Sequence, residues 1–232
     1  MGRRRLNCLT VISWAAALWL FWSLTTVMAA GPAGTVTHLS GPLFAKKADG
    51  SVKTLGPNSI VELGDTLITE KKTYARIKFS DNSEVTLRPK SQFKIDQYFF
   101  DQAKPKDDKA VFSVVKGGLR AMTGQIGKRF HGDNYKMNTP MAVVGIRGTI
   151  FEIRISEGDT GSMSRGLYLF VPEGNITVSN SAGVQSVSVG QFAYVRDTQT
   201  RPVILPSNPG LTFTVPENIQ SKGKTQEGCI VR

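Results

Sequence analysis

Apolar and polar residues alternate along most of the chain after residue 30, and this period of two is typical of half-buried β-strands. In residues 74–79, tyrosine, arginine and lysine fall on one face of a strand, while alanine, isoleucine and phenylalanine fall on the other. Residues 84–88, 93–95, 150–155 and 187–189 alternate in the same way. Apolar residues at helical spacing do not recur over any long stretch of this region, so the pattern predicts strands rather than helices.

Short turn sequences separate the alternating segments. They include Asp-Gly at 49–50, Asp-Asn at 81–82, Gly-Gly at 117–118 and Ala-Gly at 182–183, residue types that are favoured where the backbone reverses. Many short strands joined by close turns predict an all-β fold, a single domain of many short strands in two packed sheets. A jelly roll, a sandwich and a flattened β-solenoid-like arrangement all fit this pattern, although no clean repeat period is present.

The first thirty residues have the three regions of a secretory signal peptide. Arginines occupy positions 3–5, an apolar stretch runs from 11 to 24, and small residues suited to a signal peptidase lie at 27–30. We therefore expect a Sec-type signal peptide over residues 1–30 and a bacterial protein that is periplasmic or secreted. The alternative is an uncleaved signal that anchors the chain through residues 11–30, because about 20 apolar residues span a bilayer.

Removal of the signal peptide changes the charge and cysteine content that bear on partners. Residues 31–232 carry 26 basic and 18 acidic residues, a formal charge of +8, because the first thirty hold three arginines and no acidic residue. This charge favours anionic partners, and nucleic acid is not expected as a partner outside the cytoplasm. Cys229 is the one cysteine left, so no intramolecular disulfide can form and the fold depends on its core.

Prolines become frequent near the C-terminus and mark the end of the β domain. We assign residues 31–195 to the β domain and residues 196–232 to a Pro-rich C-terminal tail. The apolar segments 203–205 and 211–215 predict that this tail lies partly on the domain.

Residues able to perform catalysis or to bind a metal are sparse. The two histidines, His38 and His131, have no second ligand at metal-site spacing, and one cysteine excludes a cysteine-rich zinc site. Residues 162–166 lack the first glycine of a nucleophile elbow, and residues 122–129 lack the first Gly and the final Ser or Thr of a P-loop. We therefore predict that the protein is not an enzyme and has no catalytic residues, no cofactor and no metal site.

An ordered series of motifs runs through the middle of the chain. It consists of a GD-x-L-x-T turn at 64–69, a D-N-S strand pair around 81–83, a Gly-Leu at 118–119, a T-P-x-A-x-x-x-I-R-G-T-x-F block at 139–151, and an E-G-x-I-x-V strand at 173–178. This order resembles the FecR domain family over roughly residues 64–195, and the block at 139–151 is its most specific part. The residues that carry the resemblance are Gly64, Asp65, Thr139, Pro140, Gly145, Arg147, Gly148, Thr149, Phe151, Glu173 and Gly174.

The most specific block also has a physical interpretation that is independent of the family. A residue before proline is pushed out of the helical region, so Thr139 begins an extended segment. The glycines at 145 and 148 let the backbone bend or approach a neighbour closely. Arg147 between them either pairs with a carboxylate such as Glu152 or Glu173 or makes a surface contact. We favour a structural role for the Arg-Gly-Thr segment, since nothing nearby completes a catalytic set.

The resemblance implies a regulatory function at the bacterial inner membrane. In the founding type, a FecR-like protein relays an iron-siderophore uptake signal from an outer-membrane receptor to a cytoplasmic sigma factor, which its N-terminal cytoplasmic segment binds. Only about ten residues precede the apolar stretch of this chain, so the complete relay is not expected. We expect a non-catalytic binding or regulatory module that senses or contacts another envelope protein. The alternative is binding of an anionic envelope polysaccharide or polymer.

Overall fold

A computed structural model of the chain describes residues 31–129, 134–158 and 163–213. The predicted signal peptide at 1–30, His131, Cys229 and the part of the predicted tail beyond residue 213 lie outside the described residues. Among the described residues, no helix has the length and apolar character that crossing a membrane requires.

Strands dominate the described part of the chain. The helical elements there are the short α-helix α1 (Gln125–Arg129) and one 3₁₀ turn (Pro105–Asp107). The strands are β1 (Pro32–Leu39), β2 (Leu43–Lys46), β3 (Val52–Leu55), β4 (Ile60–Glu62), β5 (Thr66–Thr69), β6 (Ala75–Phe79), β7 (Glu84–Leu87), β8 (Gln92–Phe99), β9 (Lys109–Lys116), β10 (Gly118–Met122), β11 (Tyr135–Asn138), β12 (Val143–Ser156), β13 (Gly166–Asn180), β14 (Gly183–Ser188), β15 (Phe192–Val195) and β16 (Val203–Leu205).

The strands form one continuous hydrogen-bonded sheet that curls around the core. Its order is β3-β2-β5-β8-β9-β11-β12-β10-β7-β6-β1-β4, and β13 adds to β12 and carries β14, β15 and, through β15, β16. The pairing of β9 with β11 is parallel, and the other pairings are antiparallel. The all-β prediction is confirmed, with the difference that the two sheets expected from the sequence are parts of one sheet.

The long pair β12–β13 explains why the sheet is continuous. The start of β12, residues 143–145, pairs with β11, whereas its later part, residues 150–154, pairs with β10. Its partner β13 is shared in the same manner between β14 and β15. Register shifts between Arg147 and Ile150, and again before Glu152, are β-bulges, which bend a strand and increase its twist. One bent hairpin therefore belongs to both parts of the sheet and joins them.

The core is filled by the inward-facing residues of these strands, with an aromatic cluster at its centre. The ring of Phe112 lies 5.0 Å from Phe79, 5.2 Å from Phe93 and 5.6 Å from Tyr135, measured between ring centroids. All four side chains are at most 2% exposed. Burying one such ring contributes about 1.5–3 kcal/mol, so this cluster is a main source of the domain's stability.

Residues beyond 195 also take part in the fold. Strand β16 pairs with β15 at the edge of the sheet, and Leu211 is buried in a small second cluster with Met163 and Tyr168. Part of the region that the sequence assigns to a tail therefore packs on the domain.

Candidate functional site

The motif residues Gly64 and Asp65 lie in the turn between β4 and β5. Gly64 has φ +87°, a conformation that favours glycine, and its amide donates to the carbonyl of Ile95 at 2.8 Å. The buried carboxylate of Asp65 accepts the amide of Glu62 at 2.9 Å and the ammonium of Lys47 at 2.9 Å. Burial by itself lowers the pKa of Lys47, but its hydrogen bonds to Glu62 and Asp65 outweigh that effect and raise the pKa above its usual value.

The motif residues Thr139 and Pro140 lie in the turn between β11 and β12. The hydroxyl of Thr139 donates to the carbonyl of Ala142 at 2.7 Å and accepts the amides of Met141 at 3.3 Å and Ala142 at 3.0 Å. Pro140 lies exposed at the corner. This side-chain turn satisfies backbone groups that the strands leave unpaired, and it fixes where β12 begins.

The next motif residues meet at the bulge of the β12–β13 hairpin. The hydroxyl of Thr149 lies 2.8 Å from the carbonyl of Arg147 and 2.7 Å from that of Asn175, and its amide donates to the hydroxyl of Thr123 at 2.8 Å. Gly174 has φ +80°, and a Cβ atom there would lie only 2.6 Å from the carbonyl oxygen of Gly148. Hydrogen bonds and close backbone packing therefore hold the bend.

The remaining motif residues do not extend this bend into a site. Phe151 is fully buried, Gly145 pairs within the sheet, and Arg147 and Glu173 are exposed. The carboxylate of Glu152, which the sequence offers as a partner for Arg147, instead binds Arg120 at 3.1 Å. The motif residues thus lie at two turns and one bend, and none of the cavities described between residues 31 and 213 brings them together.

A cleft of about 440 Å³ lies elsewhere, where three loops and strand ends meet. We call it the basic cleft, and its cations are Arg88, Lys90, Lys116 and Arg154. The carboxylate that lines it, Glu157, lies 3.3 Å from the ammonium of Lys116. The cleft therefore keeps an excess of positive charge.

A glycine brings the two arginines of the cleft together. Gly118 on β10 pairs with Arg154 on β12, and on its other side its carbonyl accepts the amide of Arg88 at 2.9 Å. A Cβ atom at Gly118 would lie 3.2 Å from the Cα of Arg154 and 3.3 Å from the Cδ of Arg88. Because Gly118 has no side chain, both arginines have room beside it, and its backbone forms the floor of the cleft.

The electrostatics of the cleft favour an anionic ligand. Burial lowers the pKa of Arg88, and the positive charge of Arg154 lowers it further, yet an arginine stays protonated in proteins. Within the described residues, the side chain of Arg154 has no hydrogen-bond or ion-pair partner. Two like charges lie close together and partly out of water, and Glu152 offsets the charge of Arg88 only in part, so a bound anion would stabilise the pair further.

The described end of the chain contacts this cleft. We call residues 206–213 the C-terminal strap. The guanidinium of Arg88 donates to the carbonyl of Thr212 at 2.6 Å, and its central carbon lies 5.2 Å from the centre of the Phe213 ring. Leu211 is 8% exposed, and the side chain of Asn208 accepts its amide at 2.7 Å. Apolar packing of Leu211 and the contacts of Arg88 with Thr212 and Phe213 thus hold the strap in place.

The sequence did not identify the cleft as a site. Its residues lie in segments interpreted as turns and strand ends, and their charges look scattered along the chain. The one local signal is that the Gly-Gly pair at 117–118 directly follows Lys116. Among the described residues, no group of three His, Cys, Asp or Glu side chains is placed to hold a metal ion.

Comparison with known proteins gives the family. Residues 65–177 match the family model described as FecR protein. Two crystal structures of a proposed anti-sigma factor from Parabacteroides distasonis ATCC 8503, at 1.65 and 2.50 Å resolution, are similar with a TM-score of 0.45 at 12% and 13% identity. The similarity covers 60% of this chain and 58% of the length of those chains. No curated protein sequence matches the chain. The chain therefore carries a FecR domain over residues 65–177, as its ordered motifs predict.

Proposed function

We propose that this protein is a non-catalytic regulatory module of the bacterial cell envelope that binds another envelope protein. The FecR domain supports the regulatory part of this proposal. The signal-peptide pattern of residues 1–30 supports a location outside the cytoplasm. Binding rather than catalysis is favoured because four cations converge in the basic cleft, while its carboxylate, Glu157, pairs with Lys116 and the hydroxyl of Ser156 donates to the carbonyl of Met163.

The basic cleft is the observation that carries the choice of partner. Arg88 and Arg154 lie side by side, and Lys90 and Lys116 line the same cleft. Complementary charge speeds the encounter of two proteins and excludes wrong partners. The partner is therefore a protein with an acidic face, and the contact weakens as salt screens the charges.

A capture experiment tests this function. The exported chain is immobilised and exposed to envelope extract, alongside an Arg154→Glu variant and a Lys53→Glu variant, whose charge change lies on β3 outside the cleft. We expect one or a few envelope proteins to be retained by the wild-type and Lys53→Glu chains and lost from Arg154→Glu. Retention of no envelope protein by the wild-type chain would count against the proposal.

The second candidate function is binding of an anionic envelope polysaccharide. The same cluster of cations favours it, and Tyr74 in the cleft offers a ring against which a sugar can stack. Retention on an acidic polysaccharide column that falls with salt and is lost in Arg154→Glu would support this function. Retention that is unchanged at high salt would remove its electrostatic basis.

The location has its own test. Cell fractionation with N-terminal sequencing distinguishes a soluble periplasmic chain that begins near Ala30 or Gly31 from an intact chain in the membrane. We expect the cleaved form. An intact N-terminus in the membrane fraction would instead make residues 11–30 an anchor.

A further inference from the structure

The chain's own C-terminal strap contacts the basic cleft at its edge, through Arg88, which lines the cleft. The strap uses two features that any extended peptide could supply. A backbone carbonyl, that of Thr212, accepts from Arg88 at 2.6 Å, and an aromatic ring, that of Phe213, lies 5.2 Å from the Arg88 guanidinium. A cation over an aromatic face is attracted by the electrons of the ring. The strap therefore shows how one wall of the cleft recognises peptide.

The other wall of the cleft is not used by the strap. The side chain of Arg154 has no hydrogen-bond or ion-pair partner in the described part of the chain, and it lies beside the partly buried Arg88. Lys116 has one salt bridge, to the exposed Glu157 at 3.3 Å. A carboxylate placed here would relieve the repulsion between the two arginines and form hydrogen bonds with charged donors, which are about twice as strong as neutral ones.

We propose that the basic cleft is a peptide-recognition site for an extended segment in which an aromatic residue is followed by acidic residues, and that the C-terminal strap competes with this segment. The aromatic ring takes the place of Phe213 against Arg88. The acidic side chains reach Arg154 and Lys116, which the strap leaves available. The inference rests on the proposed function, because the segment belongs to the partner protein.

Competition by the strap has a measurable consequence. Because the strap is part of the same chain, its effective concentration at the cleft reaches about the millimolar range. It can therefore compete even if its own contacts are weak. When only a fraction of molecules has the site open, the apparent dissociation constant rises by the inverse of that fraction. Loosening the strap therefore tightens binding of a peptide added in solution.

Fluorescence anisotropy with synthetic peptides and the exported full-length chain tests the proposal. The probe is a labelled Leu-Thr-Phe-Glu-Glu peptide, which repeats the strap's Leu-Thr-Phe and adds two carboxylates. The matched controls are Leu-Thr-Phe-Lys-Lys, which reverses the charge, and Leu-Thr-Ala-Glu-Glu, which removes the ring. We expect the probe to bind and each control to bind at least about tenfold more weakly, because the lysine peptide loses the charge-assisted hydrogen bonds and the alanine peptide loses the ring over Arg88.

Variants of the chain separate the two walls of the cleft. We expect Arg154→Ala to weaken probe binding about tenfold or more and Lys53→Ala to leave it unchanged. Leu211→Asp loosens the strap and is expected to tighten binding about tenfold. If Leu211→Asp alters the fold, as its thermal unfolding would show, Phe213→Ala provides the same test without touching the buried cluster.

Equal binding of the glutamate and lysine peptides, no binding of the probe to any variant, or no effect of Arg154→Ala would overturn the proposal. The failure is distinguishable from a failure of the proposed function. If the Arg154→Ala variant still captures an envelope protein but the probe peptide does not bind, the regulatory function stands and the cleft is not the peptide site.

Discussion

The bend of the β12–β13 hairpin and the basic cleft differ in how their polar groups are satisfied. At the bend, the hydroxyl and amide of Thr149 have partners within the chain, and Gly174 packs directly on Gly148. In the cleft, Arg88 and Arg154 lie side by side, Glu152 offsets the charge of Arg88 only in part, and the side chain of Arg154 has no hydrogen-bond or ion-pair partner among the described residues. A region whose polar groups are satisfied internally supports the fold, whereas a region with excess charge is available to a ligand. Changes at the bend should therefore reduce stability, and changes in the cleft should reduce binding.

The largest expected loss of stability follows substitution of Gly174. Substitution by Ala places a Cβ atom 2.6 Å from the carbonyl of Gly148 at a φ of +80°, and we expect the free energy of unfolding in urea to fall by about 3 kcal/mol or more. Gly190 is the matched control, because its φ is +78° and no atom lies within 4 Å of the added Cβ. Its Ala variant should lose only about 1 kcal/mol. Equal losses for the two variants would mean that the bend is not tightly packed.

The next effect is at Thr149. Replacement by Val keeps the shape of the side chain and removes the hydroxyl shared by the carbonyls of Arg147 and Asn175. These hydrogen bonds are only partly buried, so losing them should cost about 1 kcal/mol, which urea unfolding will measure. Thr177→Val, at an exposed position on the same hairpin, should change stability by less than about 0.5 kcal/mol. A stable Thr149→Val variant would contradict a supporting role for this hydroxyl.

A smaller effect concerns the pH dependence contributed by Glu152, which lies next to the cleft on β12. Burial raises the pKa of Glu152, although Arg120 and then Arg88 partly oppose this. The folded state then binds more protons than the unfolded state at pH values above the usual glutamate pKa, so stability falls as pH rises through this range. We expect the wild-type chain to lose stability relative to Glu152→Gln between pH 4 and pH 7. A difference between the two proteins that is independent of pH would show that the carboxylate titrates normally.

The smallest effect on stability is expected in the cleft. Arg154→Gln removes one of two adjacent positive charges, so the free energy of unfolding should stay the same or rise by a few tenths of a kcal/mol, by about as much as surface charge changes usually give. Added salt should reduce the difference between variant and wild type, because it screens the repulsion. A loss of more than about 1 kcal/mol would place Arg154 among the residues that support the fold.

The sequence predicted the strands well where one face is buried and the other is exposed. In β6, Ala75, Ile77 and Phe79 are buried and Lys78 is exposed, as the alternation indicates. Arg76 lies on the predicted outer face yet is 7% exposed, with Glu84 3.9 Å away. Alternation reports which face a side chain occupies, and it contains no information about what covers the outer face.

The local sequence pattern predicted neither the full length of β12 nor the existence of the cleft. The sequence indicated a strand at 150–155, whereas β12 runs from Val143 to Ser156 through two glycines and a bulge. The short helix α1 has too few residues to produce a helical period. The cleft depends on strand pairing that brings residues 88, 118 and 154 together, and such pairing is a property of the whole sheet.

The pairing of strands distant in sequence has a consequence for the order in which the molecule folds. Strand β1 pairs with β6, and β10 pairs with β12, so their contacts require long segments of chain to close first. Such topologies fold slowly, on millisecond to second timescales, whereas a hairpin such as β12–β13 can form locally and early. The arrangement of Arg88 and Arg154 depends on the pairing of β12 with β10, so a chain in which the hairpin has not docked on β10 lacks the basic cleft.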